Sequence, residues 1–440
     1  MTHKKPTKSL KLWQEAKNII PGGSQLLSKR AEMFLPDQWP AYFSKAKGVE
    51  VWDLDGNKYI DTLSSIGASL LGYADFDVNK AVKKAVDQSV VSTLNCPEEV
   101  ELSKLLLKLH PWAKKARYAR TGGEAMAVAV RIGRAFSGKD TIAFCGYHGW
   151  SDWYLAANLA GDKNLDGHLL PGLEPNGVPR GLQGTAIPFH YNNIEELENI
   201  MKKNKDVGVI VMEPIRHQEP KSNFLQKVRN IATKYKAVLI FDEITIGWRL
   251  TNGGAHLVYG VNPDIAVFAK GVSNGFAMAA IIGKTDVMEA AQTTFISSSY
   301  WTERVGFVAA LTTIKKMIQK KVPTHLAKMG NLVAKGLREA AKKQNLDVTV
   351  EGLAPLIHFS FNYGERGQAI MTLFRQEMLK KGFLVSGGFY MTYAFKENHI
   401  KVYLKAVDGV FAILAEAIKK NNVEKLLKGP VAQKGFQRLT

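Results

Sequence analysis

The strongest constraint on the fold is a series of short apolar runs, too brief for helices, recurring between helical stretches. They are Lys115 to Ala119, Thr141 to Cys145, Gly208 to Met212, Ala237 to Phe241 and Ile265 to Ala269. Between them, Glu98 to Leu109, Glu124 to Phe136, Ile194 to Lys203 and Leu225 to Tyr235 carry helical spacing. A run of four to eight apolar residues without alternation predicts a strand buried on both faces. Alternation of such strands with helices predicts an α/β chain with a mainly parallel central sheet. In such sheets ligands gather beyond the carboxyl ends of the strands.

Two of these runs deliver an ionisable residue to that edge. Val238-Leu239-Ile240-Phe241 enters Asp242, and Ile265-Ala266-Val267-Phe268-Ala269 enters Lys270. A carboxylate and an amine side by side suit pyridoxal phosphate: the amine forms the Schiff base, and the carboxylate keeps the pyridine nitrogen protonated. An apolar setting depresses a lysine pKa and makes it a better nucleophile. Asp242 and Glu243 are neighbours, so an extended backbone sends their side chains to opposite sides. Asp242 is the expected ring partner, although an Asp after a strand also serves as a helix cap or turn former.

Other segments at the same edge are ambiguous alone. Thr121-Gly122-Gly123-Glu124 precedes a helix and reads as an anion cradle or as an ordinary Thr cap with a glycine turn. Tyr147-His148-Gly149-Trp150 offers an aromatic that would stack on a heterocycle or pack on the sheet rim. Glu213 is a cofactor neighbour, an arginine partner or a solvated strand end. Ser297-Ser298-Ser299 donates hydroxyls to a phosphate or caps the long helix near Arg304 to Lys321.

At either side of this region lie smaller parts. Trp13 to Ile20 has helical spacing and stops at Pro21-Gly22-Gly23. Val49 to Asp53 and Lys58 to Ile60 flank an Asp-Gly turn and predict a hairpin. Strands are also expected near Val348 to Val350 and Leu356 to Phe361. The expected division is 1–65 as N-terminal arm and part of a small domain, 66–315 as the large cofactor domain, and 316–440 as the C-terminal small domain. The 440 residues suffice for a large core in two such domains.

Composition removes some classes. No apolar run reaches ~18 residues, which argues against a membrane span. Met1 to Lys11 is basic without an apolar core behind it, so no secretion signal is expected. Cys96 and Cys145 suggest neither a disulfide framework nor a zinc site, so no metal is expected and a reducing cytoplasm fits best. The formal charge of +19 comes from lysines scattered on helical segments, without a nucleic-acid signature. An anionic cofactor or substrate is compatible with it.

Taken together, the motifs resemble the class III (ornithine-type) aminotransferases of the fold-type-I pyridoxal-phosphate architecture, over about Trp13 to Tyr393. They look closest to the glutamate-1-semialdehyde aminomutase-like branch. The carrying segments are Ile20-Pro21-Gly22-Gly23, Val51 to Asn57, Thr121 to Ala125, Tyr147-His148-Gly149, Met212-Glu213-Pro214, Ile240 to Ile244, Gly247-Trp248-Arg249 and Ala269-Lys270-Gly271. The resemblance implies a large domain and a smaller α/β domain built from both termini. It implies Lys270 as Schiff-base lysine and proton shuttle, and Asp242 as pyridine partner. Tyr147 and Ile244 would flank the ring, with His148 and Glu213 close by. Gly122, Gly123 and Thr121 would bind the phosphate. Ser299 and Ser298 would complete a neighbouring subunit's phosphate site, which implies a homodimer with shared active sites. The reaction implied is transfer of an amino group from a small donor to a carbonyl acceptor.

Departures bear on substrate. Gly123 stands where a hydroxyl is common, and Thr245 where ornithine-type members carry glutamine. Leu26, Lys29 and Ile66 replace residues that hold the aminomutase substrate. Thr302-Glu303-Arg304 replaces a Gly-Asn-Pro-like stretch. Lys29, Glu303 and Arg304 are therefore candidate substrate residues. Intramolecular amino transfer, epimerisation and decarboxylation share Lys270 and Asp242 and stay open, as does a non-catalytic binding protein on the same fold.

Overall fold

The computed structural model describes residues 7–168 and 170–436. The chain forms two compact units. One comprises residues up to Asp75 together with those from His325 onward; the other is Phe76–Thr324. These seams lie C-terminal of the expected 65 and 315. Gly48 and Tyr73 exchange backbone hydrogen bonds, which ties residues beyond 65 to the first unit. The helix Arg304–Gln319 packs on the helix Phe76–Asp87 and so stays with the second.

The first unit opens with the helix Lys8–Ile19, which buries Trp13 and Ala16. Strands β1 (Phe43–Lys47), β2 (Glu50–Asp53) and β3 (Lys58–Asp61) form an antiparallel meander. The β2–β3 turn is built by Asp53, whose Oδ1 accepts from the N–H groups of Asp55 and Asn57, both at 2.9 Å. Gly56 there has φ of 85°, which a side chain would resist.

The second unit carries a seven-stranded sheet. Its strands are β4 (Lys115–Ala119), β5 (Thr141–Cys145), β6 (Ala186–Pro188), β7 (Val207–Met212), β8 (Val238–Asp242), β9 (Ile265–Phe268) and β10 (Ala279–Gly283), in spatial order β4-β10-β9-β8-β7-β5-β6. The pairs from β9 to β6 are parallel, and β10 runs antiparallel to both its neighbours. Every residue of β5, β7, β8, β9 and β10 is buried, because helical layers cover both faces. Along β8 the sides alternate: Val238 and Ile240 join the cluster beneath the helix Gly122–Ser137, while Leu239 and Phe241 join the opposite one.

The rest of the first unit contains β11 (Val348–Leu353), β12 (Leu356–Phe361), β13 (Phe383–Leu384) and β14 (Gly388–Tyr390). β13 pairs in parallel with β3, so C-terminal chain completes the N-terminal sheet. Among the described residues, no helix is long and apolar enough to cross a membrane.

Candidate active site

Asp242 is the last residue of β8 and is 3% exposed. It follows Ile240 in side, so it faces the cluster under the helix Gly122–Ser137. Its Oδ1 accepts from the Ile244 N–H at 3.0 Å, and its Oδ2 lies 2.8 Å from His148 Nδ1. His148 Nε2 lies 3.1 Å from the Cys145 carbonyl. The ring thus lies between a carboxylate and a carbonyl, both acceptors, and packs against Trp153 at 6.0 Å; His148 is the buried hydrogen-bond partner that orients Asp242.

Glu243 turns to the other side of the sheet. Its carboxylate accepts from the N–H groups of Ala255 (2.8 Å) and His256 (3.0 Å) and from His256 Nδ1 (2.7 Å). His256 Nε2 in turn accepts from Trp112 Nε1 at 3.0 Å, which fixes the tautomer. His110 Nε2 accepts from the Gly254 N–H at 2.9 Å. Glu243 therefore pins the 253–256 turn, and Asp242 alone faces the site.

Lys270 follows the end of β9 and has φ of 48°. A non-glycine residue in the left-handed region costs roughly 1–3 kcal/mol and persists only where its surroundings impose it. The conformation aims Nζ at Thr245 Oγ1, to which it donates at 2.8 Å. Burial pushes the amine down to about 8; the charges of Arg216 and Arg249 act in the same direction, and Glu213 and Asp242 oppose them. Buried Arg249 donates through Nε to the Thr245 carbonyl at 2.7 Å, fixing the segment that presents Thr245.

The Thr121-Gly122-Gly123 segment opens the helix Gly122–Ser137. The Thr121 hydroxyl serves as cap, accepting from the Glu124 N–H at 3.3 Å. Glu124 reaches back to the N–H groups of Thr121 (2.9 Å) and Arg120 (3.1 Å). This reciprocal capping box engages Thr121 in a structural role, and the anion cradle rests on the glycine N–H groups and the helix dipole. A Cβ on Gly122 would stand 2.8 Å from Ile244 Cδ1, and one on Gly123 would stand 2.9 Å from Trp150 Nε1. A side chain at 123 would require Trp150, which is largely exposed, to shift.

Tyr147 and Ile244 are partly buried at the rim of the same cluster. Burial raises the Tyr147 phenol, so it stays protonated. Its backbone N–H donates to Glu213 Oε2 at 3.2 Å, and both Glu213 oxygens lie 3.0 Å from Arg216 Nη1. Ser298 and Ser299 are exposed just before the helix Arg304–Gln319.

The candidate substrate residues are placed differently. Lys29 belongs to the first unit, where its charge acts on buried Asp61. Glu303 caps the helix Arg304–Gln319, accepting from Val305 N–H at 2.6 Å and pairing with Arg120. Arg304 clamps Glu98 through Nη2 at 2.6 Å and Nε at 3.1 Å. In this structure a helix cap engages the Glu303 carboxylate, and a two-pronged ion pair engages the Arg304 guanidinium. The sequence reading did not single out Arg216, whose guanidinium pairs with Glu213; only its offset from Glu213-Pro214 was visible.

The residues suit pyridoxal phosphate. Asp242, buried and hydrogen-bonded to His148, would meet a protonated ring nitrogen, the desolvated Lys270 amine would meet the aldehyde, and the N–H groups of Gly122 and Gly123 at a helix start would meet the phosphate. Among the described residues, no group of three or more His, Cys, Asp or Glu side chains is arranged to hold a metal.

The aminotransferase class-III family model matches residues 36–402. The chain is 32% identical over 372 residues to the 3-aminobutyryl-CoA aminotransferase of Cloacimonas acidaminovorans (strain Evry), covering 82% of this chain and 86% of that protein. It is 29% identical over 430 residues to the glutamate-1-semialdehyde 2,1-aminomutase of Nitrosopumilus maritimus (strain SCM1), covering 93% and 99%. In structure it is similar to an omega-transaminase from Sphaerobacter thermophilus, with a TM-score of 0.83 at 22% identity, covering 94% and 99%. The chain belongs to the class-III aminotransferases and is a pyridoxal-phosphate-dependent enzyme of fold type I.

Proposed function

We propose that this enzyme moves an amino group between a small amine and a carbonyl acceptor, with Lys270 as the covalent anchor and proton carrier. The observation that carries this reading is the placement of Asp242 and Lys270 at the same edge of adjacent parallel strands, one oriented by His148 and the other desolvated.

When bound, pyridoxal phosphate supplies an electron sink for the substrate carbon that bears the amino group. The protein's own groups do the rest. Gly122 and Gly123 offer N–H donors to the phosphate. Tyr147 and Ile244 would flank the ring. His148 holds Asp242 in place, so the carboxylate keeps negative potential at the ring nitrogen without reorganising. Lys270 Nζ, as a free amine, would take and return a proton. The Thr245 hydroxyl holds that nitrogen between transfers.

We infer a homodimer that shares its phosphate sites through Ser299 and Ser298. Large apolar side chains exposed in their vicinity in the chain support it: Phe295 at 87% and Tyr300 at 70% exposure. The two free cysteines support a cytoplasmic setting. The similarity to an aminomutase favours intramolecular amino transfer as a second reading.

The test is a panel of amino donors scored by loss of the bound cofactor's visible absorbance. Loss of absorbance with the donor alone, restored by a separate carbonyl acceptor, supports transamination. Conversion of one substrate into its isomer without an acceptor supports the mutase. A purified protein that binds no pyridoxal phosphate would sink both readings.

A further inference from the structure

Beyond the carboxyl ends of β5, β6 and β7 lies a cavity of about 210 Å³, lined by Gly146, His168, His190, Arg216, His217 and Gln218 among others. It adjoins the candidate site: Gly146 precedes Tyr147, and Glu213, also in its wall, accepts the Tyr147 N–H. At this size it falls below the ~300–1,000 Å³ of pockets for drug-sized ligands, so it suits one small group.

Its chemistry is that of a donor set. Glu213 is the carboxylate in the wall, and its oxygens are engaged by Arg216 Nη1 and the Tyr147 N–H. A cation would have to displace that arginine. His168 Nδ1 accepts from the Gly146 N–H at 3.2 Å, so in the neutral ring the proton sits on Nε2, which is a donor. Burial keeps that ring neutral by pushing it down to about 4. His190 turns Nδ1 to Glu196 at 2.9 Å and stacks on His168 at 5.8 Å, which fixes the His168 plane. Arg216, His217 and Gln218 add a fixed charge and further polar groups from one loop.

We propose that this cavity, resting on the aminotransferase reading above, receives the anionic end of the amino substrate, a carboxylate or phosphate held chiefly by Arg216 and by the Nε2–H of His168. The end of β7 lies two strand positions from the end of β9, roughly 10 Å across the sheet. An amine reacting at Lys270 and an acid in the cavity are therefore several bonds apart. This selects substrates whose acid is distal to the amino carbon.

The test uses the cofactor-loaded enzyme with three donors: δ-aminovalerate, its methyl ester and a terminally phosphorylated aminoalkane. Wild type should prefer one of the acids, and which one it prefers tells carboxylate from phosphate. R216Q should cut that preference over the ester about ten-fold or more, mainly through KM, as expected for a lost charge-assisted contact. Separately from activity, glutarate or inorganic phosphate should raise the melting temperature of wild type but not of R216Q. If R216Q does not fold, H168A, which removes the Nε2–H donor, carries the same comparison, and R216K, which keeps the charge, should retain most of the preference for the acid. Acid and ester donors falling equally, together with no thermal shift from either anion, would overturn the subsite while leaving the aminotransferase reading intact. If no donor consumes the cofactor absorbance in wild type, the functional reading falls first and the subsite with it.

Discussion

Asp242 and Glu243 are adjacent acids that live in opposite chemical worlds. Glu243 sits in a closed circuit: two backbone N–H groups and His256 fill its oxygens, and Trp112 fills His256 in turn. Asp242 is equally buried but has one partner on each oxygen, the Ile244 N–H on Oδ1 and His148 on Oδ2, against the three donors that Glu243 receives. One acid builds the protein and the other is oriented for a ligand. Burial does not separate them; the number of partners and the side of the sheet do.

The comparison breaks most severely at the amine that Asp242 faces. K270A should lower the amino-transfer rate about 10⁴-fold or more while the fold persists, measured by rate and circular dichroism. Next comes the pair itself. D242N should cost roughly 10²–10³-fold in kcat with little change in melting temperature. E243A should cost about 3–5 kcal/mol of stability, because it strands buried donors, while folded molecules keep their kcat. If E243A abolished catalysis at unchanged stability, the division of labour would be wrong.

A smaller effect concerns stability alone. Lys270 in the folded protein is depressed to about 8 from an ordinary 10.5. A depressed amine disfavours folding wherever the unfolded chain is protonated, so the cost is fully present below about 8 and vanishes above the ordinary value. K270M should therefore stabilise the cofactor-free protein by about 3 kcal/mol near neutral pH, and progressively less as pH rises, in urea titrations. The smallest effect sharpens the role of Thr245. T245V should slow turnover ~3–10-fold, and T245S should restore most of it. In the cofactor-free protein the titration of the free Lys270 amine, near 8 in wild type, should move to lower pH in T245V, because the charged amine loses its acceptor. An unmoved titration would show that the hydroxyl does not hold Nζ.

The strand ends that carry Asp242 and Lys270 were legible because β8 and β9 are buried on both faces, and only continuous apolar runs satisfy that. Alternation also told Asp242 from Glu243 in advance. β10 escaped notice: Ala279 to Gly283 is small, short and antiparallel, with no helix before it to mark a crossover. β13 and β14 are pairings of two and three residues, set by tertiary contact rather than pattern. Arg216 was hidden for a different reason. A loop has no period, so nothing in Pro214-Ile215-Arg216 announces that the guanidinium folds back on Glu213. The Thr121 hydroxyl shows the opposite limit, since a cap and a phosphate ligand share one sequence signature.

β10 has a consequence in time. It lies between β4 and β9 in the sheet, and it pairs Ala119 with Ala279 and Ala280 with Phe268. The glycine cradle follows β4 and the lysine follows β9, so neither is in register with the other until residues far apart in sequence have met. Contacts of that separation form late, since loop closure precedes any return. Cofactor capture should then be among the last events of folding, and the rate at which colour appears on refolding should follow closure of the sheet, whatever the cofactor concentration above saturation.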